Sequence, residues 1–89
     1  MLIREHNLKI LPYYFKAVTQ GIKKAELRRS DRDFQAGDIL ILAEWEDLYT
    51  GREVNALITH VADVSEYAQG YVLLSFELMA PLSEAGGAK

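Results

Sequence analysis

Pro12-Tyr13-Tyr14-Phe15-Lys16-Ala17-Val18-Thr19-Gln20-Gly21 runs directly into Ile22-Lys23-Lys24-Ala25-Glu26-Leu27-Arg28. The first ten residues read as the sole helix of the chain. Proline fits the first helical turn, because its missing N–H has no intrahelical partner there. Phe15 and Val18 lie i, i+3 and Tyr14 and Val18 lie i, i+4, which gives one apolar face. Gly21 ends the helix where a left-handed cap costs glycine least. A helix of about nine residues persists only when docked on a sheet. Lys23 to Arg28 alternates weakly and reads as a charged strand. Strict alternation sets Lys24, Glu26 and Arg28 on one side and Lys23, Ala25 and Leu27 on the other.

Before this stretch, Leu8, Ile10 and Leu11 among polar His6, Asn7 and Lys9 predict a short strand. After it comes a polar loop at 30–33, then a turn over Phe34–Asp38 in which Gly37 supplies positive φ. Ile39 to Glu46 begins apolar on both faces, as a central strand does, and ends in alternation. Leu48-Tyr49-Thr50-Gly51 reads as a tight connection. Arg52 to Val64 reads as a long strand in which Val54, Ala56, Ile58 and His60 share a face. A loop at 65–69 closes with Gly70, and Tyr71 to Leu78 is a last apolar strand. Residues 81–89 read as a tail outside a single domain spanning 1–80.

The order is therefore β-α-β-β-β-β. One early helix followed by short-linked strands indicates an α+β fold, with five strands curling into a partial barrel.

With 89 residues and no cysteine, the chain is limited to one modest core without disulfides or a Cys-based zinc site. Two histidines lack a spaced third ligand, so neither a metal nor another cofactor is expected. His60, in phase with Val54 and Ile58, reads as a satisfied, half-buried residue. No segment has the ~20 apolar residues of a membrane span. Arg4 and Glu5 fall where a signal peptide needs an apolar run, so a cytoplasmic protein is expected.

The formal net charge of −3 conceals a segregation. Residues 1–43 carry eight Lys/Arg against five Asp/Glu, whereas residues 44–89 carry two against eight. Five of the ten basic residues lie between Lys23 and Arg32. Such a cluster is either an anion-binding face on an acidic protein or a solvated edge whose lysines block aggregation. Arg28 offers a fork to phosphate or carboxylate, and Lys23 a point charge. Arg28, Arg29 and Arg32, with Tyr13, Tyr14, Phe34 and Tyr49 near in sequence, are what single-stranded RNA recognition uses. The plainer reading pairs Arg32 with Asp33 across the loop. Trp45, between Glu44 and Glu46, either stacks a base beside Tyr49 or packs on the core. No Ser/His/Asp set, phosphate-cradling glycine loop or dinucleotide fingerprint is present.

Gly21-x-Lys23-x-x-Glu26-x-Arg28 resembles the GxKxxExR motif of ASCH domains, which belong to the PUA-like superfamily. Phe34-x-x-Gly37-Asp38-x-Leu40 is similar to the turn that follows the motif there. His6-x-Leu8-Lys9-Ile10-x-Pro12-x-Tyr14-Phe15, Tyr49-Thr50-Gly51-Arg52-Glu53 and Gly70-Tyr71-Val72-Leu73-Leu74 look like a small bacterial and phage branch of unknown function. The resemblance spans residues 4–79. It implies a PUA-like β-barrel and a cleft between helix and barrel into which Lys23, Glu26 and Arg28 point. It also implies RNA or a nucleotide-like ligand as partner. In that picture Arg29 and Arg32 join Lys23 and Arg28 on phosphate, and Tyr14 or Trp45 stacks a base. Placing Lys23 beside Glu26 and Arg28 requires an irregularity at the strand start.

Some ASCH proteins are amidohydrolases that deacylate a modified cytidine. They resemble this chain at Lys23 and Arg28. They carry a threonine nucleophile where Glu26 stands here, and a glutamate in a longer segment before the last strand. Here that segment shrinks to about 63–70, with Glu66 its only glutamate. Binding is thus the first expectation. Hydrolysis through Lys23 and Glu26 is the alternative, and a protein-interaction module using the acidic half, phage-encoded in that case, the third.

Overall fold

The computed structural model describes residues 3–79, so the expected tail at 81–89 lies outside the described residues. Strand β1 (Glu5–Ile10) leads into helix α1 (Pro12–Thr19), followed by β2 (Ala25–Arg29), β3 (Ile39–Glu46), β4 (Leu48–Asp63) and β5 (Tyr71–Leu78). The five strands form one mixed sheet in the order β1-β3-β4-β5-β2, with β1 and β3 parallel and the other pairs antiparallel. The sheet curls into a half-barrel. β1 and β2 are its two edges, and no ladder joins them.

The curvature comes from two irregularities. Register shifts occur between Ala43 and Trp45, where β3 meets β4, and between Ile58 and His60, where β4 meets β5. A bulge of this kind bends the strand and raises its twist. It also explains His60. The extra residue takes His60 out of phase with buried Ala56 and Ile58, and its side chain is exposed rather than half-buried.

The concave face holds the core. Leu8 and Ile10 of β1, Leu40 and Leu42 of β3, Ala56 and Ile58 of β4, and Leu74 and Phe76 of β5 are all buried there, at the period-2 spacing of strands. Helix α1 packs against β3 and adds Phe15 and Val18 to this cluster. Phe34 joins from the 30–38 loop.

Two connections matter for the site. The first is the end of α1. Gly21 has φ 75°, its N–H bonds to the Val18 carbonyl, and the Ile22 N–H reaches back to Ala17. This is a Schellman cap, and it needs glycine or an equivalent left-handed residue at that position. The Lys23 N–H also bonds to the Ala17 carbonyl, so Lys23 is tied to the helix end before the strand begins.

The second is the β3–β4 hairpin. The sequence suggests a connection over 48–51, but the chain turns at Asp47, the one non-glycine with positive φ (66°) among the described residues. Leu48 already pairs with Glu46, and Gly51 lies inside β4. Asparagine and aspartate tolerate the left-handed region better than other side chains do.

Candidate nucleotide-binding cleft

Strand β2 breaks the rule of the concave face. Glu26 and Arg28 stand directly opposite Leu74 and Val72 of β5, so they face the side on which Leu74 is buried. Two charged residues therefore occupy interior positions of an edge strand. Burying such charges is costly unless they are paired. Here they are. Arg28 donates through Nε to Glu26 Oε2 at 3.2 Å, and its Nη2 lies 3.0 Å from the same oxygen. Lys23 Nζ lies 3.1 Å from Glu26 Oε1. Both carboxylate oxygens are thus held by a cation, and the Glu26 side chain is only 13% exposed.

Lys23 joins this cluster because the strand starts at Ala25 rather than at Lys23. Alternation does not apply to it. The Schellman cap sets its backbone, and its long stem covers the remaining distance, with Nζ 5.2 Å from the centroid of the Tyr14 ring. Arg28 has a further partner. Its Nη2 donates to the Lys9 carbonyl oxygen at 2.5 Å, across the open seam between β2 and β1.

Two depressions meet at this cluster, and both are lined by Glu26 and Leu27. One has a volume of about 340 Å³ and is walled by Leu8, Arg28, Arg29, Arg32, Phe34 and Tyr71, with Asp31 at its edge. The other, of about 260 Å³, is walled by Tyr14 and Lys23. In the larger lobe the arginines sit against rings. The Arg29 guanidinium carbon lies 5.2 Å from the Tyr71 centroid, and that of Arg32 lies 5.6 Å from Phe34. Arg32 pairs weakly with Asp31 at 3.4 Å. It does not pair with Asp33, which binds Arg4 instead.

The structure thus brings Glu26, Arg28, Arg29 and Arg32 to the larger depression and Tyr14, Lys23 and Glu26 to the smaller one beside it. Trp45 is part of neither. That ring lies near the hairpin, with Lys9 Nζ 4.8 Å from its centroid. Phe34, grouped with the arginines from sequence, lines the larger depression, and Tyr71 and the Lys9 carbonyl, which were not singled out from sequence, belong to the cleft as well. Only strand pairing brings Tyr71 opposite Arg29.

Two buried carboxylates stand apart from the cleft. Asp38 accepts from His6 Nε2 at 2.8 Å and from the Gln35 amide at 3.0 Å, and Arg4 Nε lies at 3.6 Å. Burial pushes the Asp38 carboxyl up, but the His6 and Gln35 hydrogen bonds and the Arg4 charge outweigh it, so it titrates below its ordinary value. Glu44, 2% exposed, accepts from Thr50 Oγ1 at 2.7 Å and takes the Arg52 fork through Nε and Nη2, each at 2.9 Å. The Thr50 hydrogen bond, with help from Arg52, overcomes desolvation and lowers its titration.

No group of three His, Cys, Asp or Glu side chains placed to hold a metal occurs among the described residues. No helix among them is long and apolar enough to cross a membrane.

A mixed half-barrel with one capping helix and a charged cluster at its seam is the class that fold and site define. Residues 5–76 match the family described as a domain of unknown function, DUF3850, and the chain belongs to that family. It is also similar to an uncharacterized 12.9 kDa protein encoded in the GpA 3′ region of Escherichia phage P2. The two are 45% identical over 75 residues, which cover 83% of this chain and 69% of the phage protein.

Proposed function

We propose that this chain is a PUA-like module of the ASCH type that binds a nucleotide-like ligand, free or within an RNA strand, in the cleft between β2, β1 and α1. The observation that carries this reading is the convergence of Lys23, Glu26 and Arg28 at the seam, with Arg29 and Arg32 beside it. Arginine forks match phosphate geometry, and Tyr71, Phe34 and Tyr14 supply faces for base stacking. Glu26 has lone pairs left after accepting from two cations, and these suit the amino edge of a base. Pairing within the cluster also fixes its geometry before a ligand arrives, which lowers the ordering cost of binding.

The geometry favours recognition over hydrolysis. A carboxylate gripped on both oxygens is a poor nucleophile, because attack must first release a cation. The acidic balance of residues 44–89 remains the sole support for a protein-interaction role.

The test is a titration of fluorescein-labelled single-stranded RNA, read by anisotropy between about 50 and 200 mM salt. Binding should weaken with salt, and Arg29→Ala and Arg32→Ala should each lower the salt slope by about one. Equal, salt-insensitive affinities for the wild type and both variants reject the proposal. Turnover of N4-acetylcytidine above a Lys23→Ala control replaces binding by hydrolysis.

A further inference from the structure

The seam is bounded by two strand edges, and the main chain of β2 points into it. In an antiparallel pair, residues that bond to the partner strand alternate with residues whose N–H and C=O point the other way. The Phe76 N–H bonds to the Lys24 carbonyl at 3.0 Å, and the Ser30 N–H bonds to the Gly70 carbonyl at 2.8 Å. The even-numbered residues of β2 therefore face β5. The N–H and C=O of Ala25, Leu27 and Arg29 face away from it, on the side where β2 has no neighbour in the sheet. Across the seam, the Ile39 N–H bonds to the Arg4 carbonyl, so the even-numbered residues of β1 face β3 and the Lys9 carbonyl faces β2. Arg28 takes up that carbonyl.

Leu27 keeps its own pair open. No turn or loop main-chain group among the described residues bonds to its N–H or C=O, and the Arg28 fork goes to Glu26 and Lys9 instead. Backbone donors and acceptors are obligatory hydrogen-bonding groups, so an open pair is ready to take a partner. Of the three residues that face the seam, Arg29 borders the larger depression and Leu27 borders both. Its main chain thus stands where the two depressions meet. In an extended strand the N–H and C=O of one residue lie side by side in the plane of the sheet. The edge of a nucleobase is their complement, because it carries an acceptor and a donor side by side in one plane. In a duplex the partner base consumes that edge.

We infer that the Leu27 N–H and C=O read the Watson–Crick edge of a base that enters the seam edge-on, as an added strand would, and so restrict the ligand to nucleotides whose base is unpaired. The inference rests on the reading of the seam as a nucleotide site and deepens it. Arg29 and Arg32 hold phosphate, and Leu27 holds the base. Because the main chain makes the contact, the leucine side chain carries none of the recognition.

The test follows amide exchange in the isotope-labelled full chain. Without ligand, the Leu27 amide should exchange faster than those of Glu26 and Arg28, which face β5. A random-sequence single-stranded RNA tetramer should shift the Leu27 amide proton downfield and slow its exchange at least about tenfold. Ribose 5-phosphate, which lacks a base, should shift Arg29 and Arg32 and leave the Leu27 exchange rate unchanged. Leu27→Pro removes the donor at an edge position that tolerates proline, so it should fold and bind labelled single-stranded RNA about tenfold more weakly. Leu27→Ala should bind like the wild type. A stable blunt RNA duplex should compete at least about tenfold less well than its separated strands. The main-chain contact is refuted, and the seam cleft stands, if RNA moves Arg29 and Arg32 while Leu27 keeps its free exchange rate. A folded Leu27→Pro variant with wild-type affinity, or a duplex that competes equally, refutes it too. Should Leu27→Pro not fold, the wild-type exchange measurement decides. If no RNA binds, the seam reading fails and this one with it.

Discussion

Arg28 donates a 2.5 Å hydrogen bond to the Lys9 carbonyl and so joins the two free edges of the half-barrel. Where a closed barrel has a ladder, this fold has one side chain. The same guanidinium holds Glu26, so closure of the barrel and assembly of the candidate site share a residue. Arg28→Ala should therefore cost about 1–3 kcal/mol, since it leaves the half-buried Glu26 short of a cation. In a domain this small, that lowers Tm by several degrees per kcal/mol, roughly 4–8 °C each. Hydrogen exchange should quicken most at residues 8–10 and 26–29, beyond the smaller uniform rise that the lost global stability gives β4. Uniform acceleration over all strands argues against a local clasp.

Gly21→Ala addresses how Lys23 is positioned. A Cβ at this position meets no atom within 4 Å, so the cost is conformational and comes from φ 75° alone. A non-glycine left-handed residue costs roughly 1–2 kcal/mol, and urea denaturation should report that loss with an unchanged m-value. A neutral substitution would contradict the Schellman geometry.

Acid stability follows from Asp38 and Glu44, which both titrate below their ordinary values in the folded chain. For a depressed carboxylate the unfolded state binds more protons, so stability rises with pH in that range. The contribution is complete above the unfolded values near 4, and it is lost as pH falls through the lower folded ones. Urea midpoints should be flat from about pH 7 to 5 and fall steeply below about 4. Asp38→Asn should lower stability at pH 7 and flatten the acid limb. An acid limb as steep as that of the wild type would mean that Asp38 is not among the groups responsible.

Much of the architecture was legible in sequence, because β3 and β5 open as apolar runs just after Gly37 and Gly70, and helix α1 carries proline and glycine at its ends. The order of elements along the chain and the half-barrel agree with the β-α-β-β-β-β reading of a partial barrel. The failures share one cause, which is that alternation presumes a regular strand. Lys23 falls before the strand starts, and His60 follows a bulge. The hairpin turns on Asp47, where a positive φ at aspartate is a weaker signal than the nearby Gly51. The Glu44–Thr50–Arg52 cluster was missed for a related reason. Its members come together only once the hairpin register is known, and Glu44 reads from sequence as a solvent-facing residue of an alternating strand end.

The central claim is that the seam cleft binds a nucleotide-like ligand. It is tested most directly by following backbone amide shifts of the isotope-labelled wild-type chain as single-stranded RNA is added, since no variant has to fold. The account predicts fast or intermediate exchange shifts concentrated at Lys23, Glu26, Arg28, Arg29, Arg32 and Tyr71, with β4 beyond Ala56 silent. Saturating RNA that leaves those amides unmoved, or moves only residues remote from the seam, would contradict it.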